Sequence, residues 1–327
     1  MIHIDRIYGK IKITEPVILD LVNCPAIQRL KGIDQGGYYE VHFPGTKNNR
    51  FEHSMGVFIL LKKYDAPLEE QIAGLIHDVS HSAFSHCIDY VLAEGSQKEQ
   101  SHQDNVFEKF VRKSEIPKIL KKYGVDLDFI LDDSNFPLKE KDLPDLCADR
   151  LDYSLRQTAI FNVSSNEEIQ KLLDDLITEG KCWIFTNYKS AQKYADIFLS
   201  LNRIHYSGIQ TAVMFRTVGD YLKYSINKGF IKKADLYLTD EIVLRKIKPF
   251  HKKDEKLSRL FRKMNNEIKY KNNPADFDTH VFCKSRIVDP LCKHKNKILR
   301  VSEINPEWKK IIKAESKPKQ YFIKFAK

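Results

Sequence analysis

The chain has 327 residues, 42% of them hydrophobic and 30% charged, and 54 Lys and Arg against 44 Asp and Glu give a net charge of +10. That balance describes a globular chain with a sizeable core and excludes a disordered, collagenous or disulfide-stapled protein; no apolar run approaches the roughly 18 residues of a membrane span. The basic excess suits an anionic ligand, a polyphosphate or a nucleic acid. Six cysteines (Cys24, Cys87, Cys147, Cys182, Cys283 and Cys292) are scattered without a CxxC pair. Together with the lack of a signal peptide, they imply a reducing, cytoplasmic setting. Cys87 and Cys147 read as small core residues.

In chain order, residues 1–14 alternate apolar and polar side chains and predict a short strand or hairpin. Residues 16–24 and 25–31 each open with a proline, which suits the first position of a helix. Gly36, Gly37 and Pro44 mark turns. Residues 50–64 are apolar at helical spacing, with Phe51, Met55, Phe58 and Ile59 on the core face and Lys62 and Lys63 outside. Arg50 lies three residues before His53, on the same side of that helix, and its planar, permanently charged fork fits phosphate. Residues 72–76 lead as a helix into GLIHDVSHSAFSH (74–86), where Ser80, Ser82 and Ser85 break the apolar pattern. A polar run at 94–100 precedes the helix SHQDNVFEKFVRK, with Ser101 as its cap.

Residues 115–143 predict short helices and an exposed connection. Residues 144–161 predict a helix with Pro144 in its first turn, which places Asp149, Asp152, Tyr153 and Arg156 within about two turns. Residues 165–178 and 190–228 read as helical, and 182–185 (CWIF) as a strand. From residue 245 the chain turns strongly basic: a basic helix, a polar loop ending at Pro274, strands in FDTHVFCKSRIVDP and QYFIKF, and the helix PEWKKII between them.

Three stretches carry the chemistry. NNRFEHSMGV supplies His53, GLIHDVSHSAFSH supplies His77 and Asp78, and CADRLDY supplies Asp149. Adjacent His77 and Asp78 point about 100° apart on a helix, so they share an ion only near a helix end, with further ligands arriving from elsewhere. Two imidazoles and two carboxylates form a mixed nitrogen and oxygen set. It suits Mn, Fe, Ni, Co or Zn, admits Mg, and leaves positions open for water and substrate.

This order of motifs resembles the HD superfamily of metal-dependent phosphohydrolases, and within it the deoxynucleoside triphosphate triphosphohydrolase branch that includes the metazoan enzyme with a sterile-alpha-motif domain. The likeness is clearest over residues 5–153. It implies a mainly α-helical HD-domain fold (1–244), followed by a small basic α+β C-terminal lobe (245–327), and a nucleotide substrate. The resemblance also implies a homo-oligomer. It carries His81, His86 and His102 onto positions that line the reaction centre, and Asp89 onto an acid that orients a proton relay. Arg150 and Tyr153 fall on triphosphate contacts, Gln35 on a sugar contact, and Tyr206, in LNRIHY, on a tyrosine that packs on the base. KSRIVDP resembles the family's tail segment.

Two departures bear on the sugar. Gln157 stands where relatives specific for deoxynucleotides carry an acid that reads the 3′-hydroxyl, and Gly36 replaces a bulkier residue, which implies a more open pocket. A third basic phosphate contact, expected near Phe198, is not evident. The expected function is metal-dependent hydrolysis of a (d)NTP to nucleoside and triphosphate. The alternatives are another phosphate ester (a nucleoside monophosphate or an oligonucleotide), or a nucleic-acid binder that keeps the HD fold and uses its basic 245–327 region.

Overall fold

In a computed structural model, residues 1–92 and 98–326 are described; part of the polar run expected ahead of His102, residues 93–97, lies outside them. The chain opens as the antiparallel hairpin β1 (Ile2–Asp5) and β2 (Gly9–Lys12), with Asp5 opposite Gly9. Asp5 closes its turn by accepting from the amides of Ile7 and Tyr8 at 2.7 and 3.0 Å. The two prolines start α1 (Pro16–Asn23) and α2 (Pro25–Arg29), as the fixed φ of proline favours. A short α3 (Tyr39–His42) precedes α4 (Arg50–Lys63) and α5 (Leu68–Ile76). Asn49 caps α4, its side chain accepting from the Glu52 amide at 2.9 Å.

The expected single core face of α4 is too narrow a reading. Met55, Phe58 and Ile59 enter one core with α1, α2 and α5, while Val57, Leu60 and Leu61 enter another. The helix is therefore wedged between two cores, and its residues, His53 included, are held on both sides. After α6 (His102–Lys113), α7 (Ile116–Lys122) and α8 (Leu127–Leu131) comes α9 (Ala148–Ile160), which faces the second core through Leu151 and Leu155. Ser101 sits at the start of α6, but its side chain makes no capping bond. Pro144 does not open α9 as expected. Cys147 is extended, and the amides of Ala148 and Asp149 bond the carbonyls of Leu138 and Lys139, so the helix starts at Ala148.

The helix expected over 165–178 is shorter. α10 (Asn166–Asp174), closed by a Ser165–Glu168 capping box, gives way to β3 (Leu176–Glu179) and β4 (Cys182–Phe185). The long helix expected over 190–228 is two: α11 (Tyr188–Leu201) and α12 (Ile209–Asn227), joined by a wider π-helical turn over Asn202–Tyr206. Then follow α13 (Asp240–Ile247), α14 (Glu255–Met264), β5 (Tyr270–Asn272), β6 (Thr279–Cys283), β7 (Leu291–His294), β8 (Lys297–Arg300), α15 (Val301–Ile304), α16 (Pro306–Glu315) and β9 (Lys319–Phe325).

The fold is thus mainly α with small sheets. One sheet has the order β3-β4-β7-β8, with β7 parallel to β4, and another the order β5-β9-β6. A boundary at 245 falls inside α13, and β7 hydrogen-bonds to β4 of the preceding region. The C-terminal segment therefore shares sheet and core with the rest: Ile287, Val288 and Trp308 pack with Leu151 and Trp183. No helix among the described residues is long and apolar enough to cross a membrane.

Candidate metal centre

His53 projects from the first turn of α4, and His77 and Asp78 follow the end of α5, the helix-end geometry that lets neighbours converge. Asp149 stands in the first turn of α9. His53 Nε2 lies 2.8 Å from Asp149 Oδ1 and 3.2 Å from His77 Nε2. His77 Nε2 lies 3.5 Å from Asp149 Oδ1 and 3.4 Å from Asp78 Oδ1, and Asp78 Oδ2 is 3.9 Å from His53 Nε2.

Both imidazoles are fixed from behind. His53 Nδ1 donates to Asp152 at 2.8 Å, and His77 Nδ1 to the Gly74 carbonyl at 2.7 Å. Each Nε2 is thereby aimed at the same point as the carboxylates, the arrangement in which outer partners orient metal-binding histidines. His53, His77 and Asp149 bring their ligand atoms within 4.8 Å of one another, a set that fits a divalent metal, and Asp78 stands beside His77 as the next donor.

The donors also set one another's charge. Burial pushes His53 down, but hydrogen bonds to Asp149 and Asp152 outweigh it and raise its pKa to about 9. Burial would raise Asp149, yet bonds to His53 and His77 hold it well below the carboxylate range. Asp78 is likewise held well below that range by Arg50, then His77 and His81, against its burial.

Behind His53 runs a buried ionic chain. Asp152 receives Arg156 at 2.8 and 3.0 Å, and Arg156 reaches Asp5 of the hairpin at 2.9 Å. Gly56 makes room for it, because a Cβ there would fall 2.0 Å from Asp152 Oδ1 and 2.1 Å from Arg156 Nη2. The sequence offered Asp152 as an acceptor or ion-pair partner; Asp5, in a hairpin 151 residues from Arg156, carried no local signal.

The turn after Asp78 is clamped from distant elements. Arg29 donates to the carbonyls of Val79 and His81, both at 2.7 Å. Phe84 and Ser85 adopt left-handed backbone, with φ of 60° and 45°. This conformation costs each on the order of 1 kcal/mol, and it is held where the Phe84 amide donates to Asp240 at 2.8 Å and Ser85 Oγ to the Asp34 carbonyl. Asp240 also accepts from the Asp34 amide at 2.8 Å. Burial raises the Asp240 carboxyl to about 8. Arg29 and Asp240 went unnoticed because their role is to bond backbone far away in sequence.

The remaining expected residues fall in three groups. His81 and His86 line the same turn, their rings 5.2 Å apart, with His81 Nε2 3.3 Å from Asp78 and His86 Nδ1 3.7 Å from Asp89. Asp89 accepts from the His102 amide at 3.1 Å, and His102 Nε2 is 3.3 Å from the Tyr237 hydroxyl. Burial, with the charge of Arg50 and Arg286, pushes His86 down to about 4 against the pull of Asp89, so it is neutral at pH 7 rather than poised near neutrality. Tyr153 and Tyr206 meet edge to face at 5.7 Å, and Tyr153 lies 6.4 Å from His53. The Tyr206 hydroxyl and Gln157 Oε1 are buried without partners among the described residues.

Four residues depart from their expected settings. Arg50, expected on phosphate, is buried and spends its nitrogens on Asp78 (2.6 Å), Ser85 (2.7 Å) and the Gln35 carbonyl (2.9 Å). Arg150 turns back onto the carbonyls of Lys141 and Asp145, at 3.1 and 2.6 Å. Gln35 is buried and its side-chain oxygen accepts from Asn48. Gly36 opens no space, because an added Cβ would lie 2.6 Å from the Tyr39 ring. A cavity of about 700 Å³ lies elsewhere, lined by Glu255, Arg259, Arg262, Glu267 and Lys269. It mixes both charges and holds none of the metal donors, so the chemistry, not the volume, locates the site.

The HD domain family model matches residues 50–156, which include all four donors. The uncharacterized protein YdhJ of Bacillus subtilis is 33% identical over 332 residues, covering 99% of this chain and 98% of that protein. The metal-dependent phosphohydrolase cns2 of Cordyceps militaris is 37% identical over 53% of this chain and 49% of its own length. The human deoxynucleoside triphosphate triphosphohydrolase SAMHD1 is 27% identical over 71% of this chain, which spans only 44% of it. A crystal structure of a hypothetical protein from Aquifex aeolicus shares the fold, with a TM-score of 0.72 at 18% identity over 100% of this chain and 96% of that one.

Proposed function

Because the chain belongs to the HD superfamily of metal-dependent phosphohydrolases, we propose that it hydrolyses a nucleotide phosphate ester, converting a (d)NTP to nucleoside and triphosphate. The observation that carries this reading is the meeting of His53, His77 and Asp149, with Asp78 beside the two histidines and both imidazoles oriented from behind. A divalent cation bound there supplies a water of lowered pKa and polarises a phosphoryl oxygen. Asp152 and the Gly74 carbonyl hold the Nδ1 protons and turn each Nε2 toward the centre, where a cation would displace the proton that His53 shares with Asp149, and Arg50 keeps Asp78 ionised.

Nucleotide binding rests on the aromatic wall. Tyr153 and Tyr206 present ring faces and edges beside the metal donors, and the Tyr206 hydroxyl and Gln157 Oε1 are polar atoms that a sugar or base satisfies. The leaving sugar oxygen needs a proton. His86 is neutral in the free protein, and a polyphosphate that offsets the positive charges around it raises its proton affinity. His86 then donates, with Asp89 holding Nδ1. The test is a screen of divalent metals against dNTPs, NTPs and nucleoside monophosphates with product identification. Metal-dependent release of inorganic triphosphate is expected; turnover of monophosphates alone would replace this reading.

A further inference from the structure

Resting on that reading, a triphosphate needs cations, and the two arginines the motifs offer are spent on the protein itself. Arg286, in the loop after β6, is placed differently. Its amide donates to Asn202 Oδ1 at 2.8 Å, at the start of the turn that carries Tyr206. The same loop is pinned by Cys283, whose thiol faces the Tyr206 carbonyl at 3.2 Å, and by Ser285, whose hydroxyl donates to the Glu315 carbonyl at 2.6 Å. From this base the Arg286 side chain crosses to Gln100 Oε1 at 2.9 Å, two residues before His102. It therefore bridges the aromatic wall and the histidine wall.

A guanidinium carries five N–H donors. Among the described residues Gln100 is the acceptor for this one, and no carboxylate forms an ion pair with it. Lys284, two residues before, donates to the Glu99 carbonyl at 2.6 Å. The field of Arg286 reaches both walls: after burial, it is among the charges that act on His86, Tyr153 and Tyr206. Burial, then Arg286, lowers Lys284 to about 8. Asp104 feels Lys284 and, more weakly, Asp78 and Asp149. Asp104, Glu99 and Asp89 offset part of the charge on Lys284, while Arg286 makes no ion pair among the described residues, and a polyanion relieves the repulsion between the two cations.

We propose that Arg286 and Lys284 are the phosphate-binding cations of this active site, supplied by the C-terminal lobe, which is therefore part of the catalytic unit. The probe is inorganic triphosphate, titrated calorimetrically into the Mn²⁺-loaded full chain and into Arg286→Gln, Arg286→Lys and Lys284→Gln. Arg286→Gln is expected to weaken binding by about tenfold or more, the worth of a lost charge-assisted hydrogen bond, and Arg286→Lys by less. Mn²⁺ affinity measured without triphosphate should not change. Should Arg286→Gln fail to fold, Lys284→Gln and Arg286→Lys carry the same test. Wild-type triphosphate affinity in the folded variants overturns this inference alone. Loss of Mn²⁺ and triphosphate together overturns it in favour of a structural role. A wild-type protein that binds no triphosphate overturns it along with the triphosphate reading.

Discussion

The metal side and the substrate side of the cleft follow opposite rules. On the metal side every charged group has a partner: His53 with Asp152 and Asp149, Asp78 with Arg50, Arg156 with Asp152 and Asp5. On the substrate side, among the described residues, the Tyr206 hydroxyl and Gln157 Oε1 are buried without partners, and Arg286 holds one neutral side-chain acceptor. Buried unpaired polar atoms are costly in a core, and at a site they are what a ligand satisfies. The first region is organised before ligand arrives, and the second is left for the ligand to complete.

Breaking the metal side should have the largest effect. Asp149→Ala removes a donor that holds both histidines, and is expected to abolish metal binding and turnover while leaving the helical circular dichroism intact. Metal content by mass spectrometry checks it, and retained metal would mean the ligands are misassigned. Gly56→Ala tests how tightly the ionic chain is packed. Its Cβ has no room beside Asp152 and Arg156, so the protein should lose about 3 kcal/mol of stability, as overpacked cores do, read by denaturant melts.

Asp152→Asn separates orientation from packing. Oδ2 of Asp152 accepts from both His53 Nδ1 and Arg156 Nε, and a neutral amide there holds the imidazole less firmly than the carboxylate does. Metal affinity should fall by about 10- to 100-fold, measured by competition with a chelator. Unchanged affinity would show that Asp152 serves the ionic chain alone.

The smallest effect is expected on the substrate side. Gln157→Asp supplies a charged acceptor for a sugar hydroxyl, roughly twice as strong as a neutral one. The ratio of kcat/KM for a dNTP to its 2′,3′-dideoxy counterpart should rise by a few-fold, on the order of 1 kcal/mol. An unchanged ratio would mean that other groups read the sugar. Gly36 gives no help here, since the Tyr39 ring already fills the space beside it.

The same contrast explains what the sequence could reveal. The fold brings together the three short stretches that hold His53, His77, Asp78 and Asp149, and they were legible because metal chemistry dictates residue types within each; the ligand role itself is the proposal. The hairpin and the proline-started helices were legible because their signals are local. Side-chain direction was not. Arg150 sits one step round α9 from Asp149, yet its guanidinium turns to the carbonyls of Lys141 and Asp145. The expected start of α9 differs because Cys147 is extended and the amides of Ala148 and Asp149 bond the carbonyls of Leu138 and Lys139. Arg29, Asp240, Asp5 and Arg286 act across more than 50 residues, and no spacing rule reaches that far.

The most direct test of the account is hydrolysis of a dNTP by the metal-loaded protein in ¹⁸O-water. Attack at the α-phosphorus predicts inorganic triphosphate carrying the label and an unlabelled nucleoside. Release of orthophosphate or pyrophosphate, or label in the nucleoside, would contradict it.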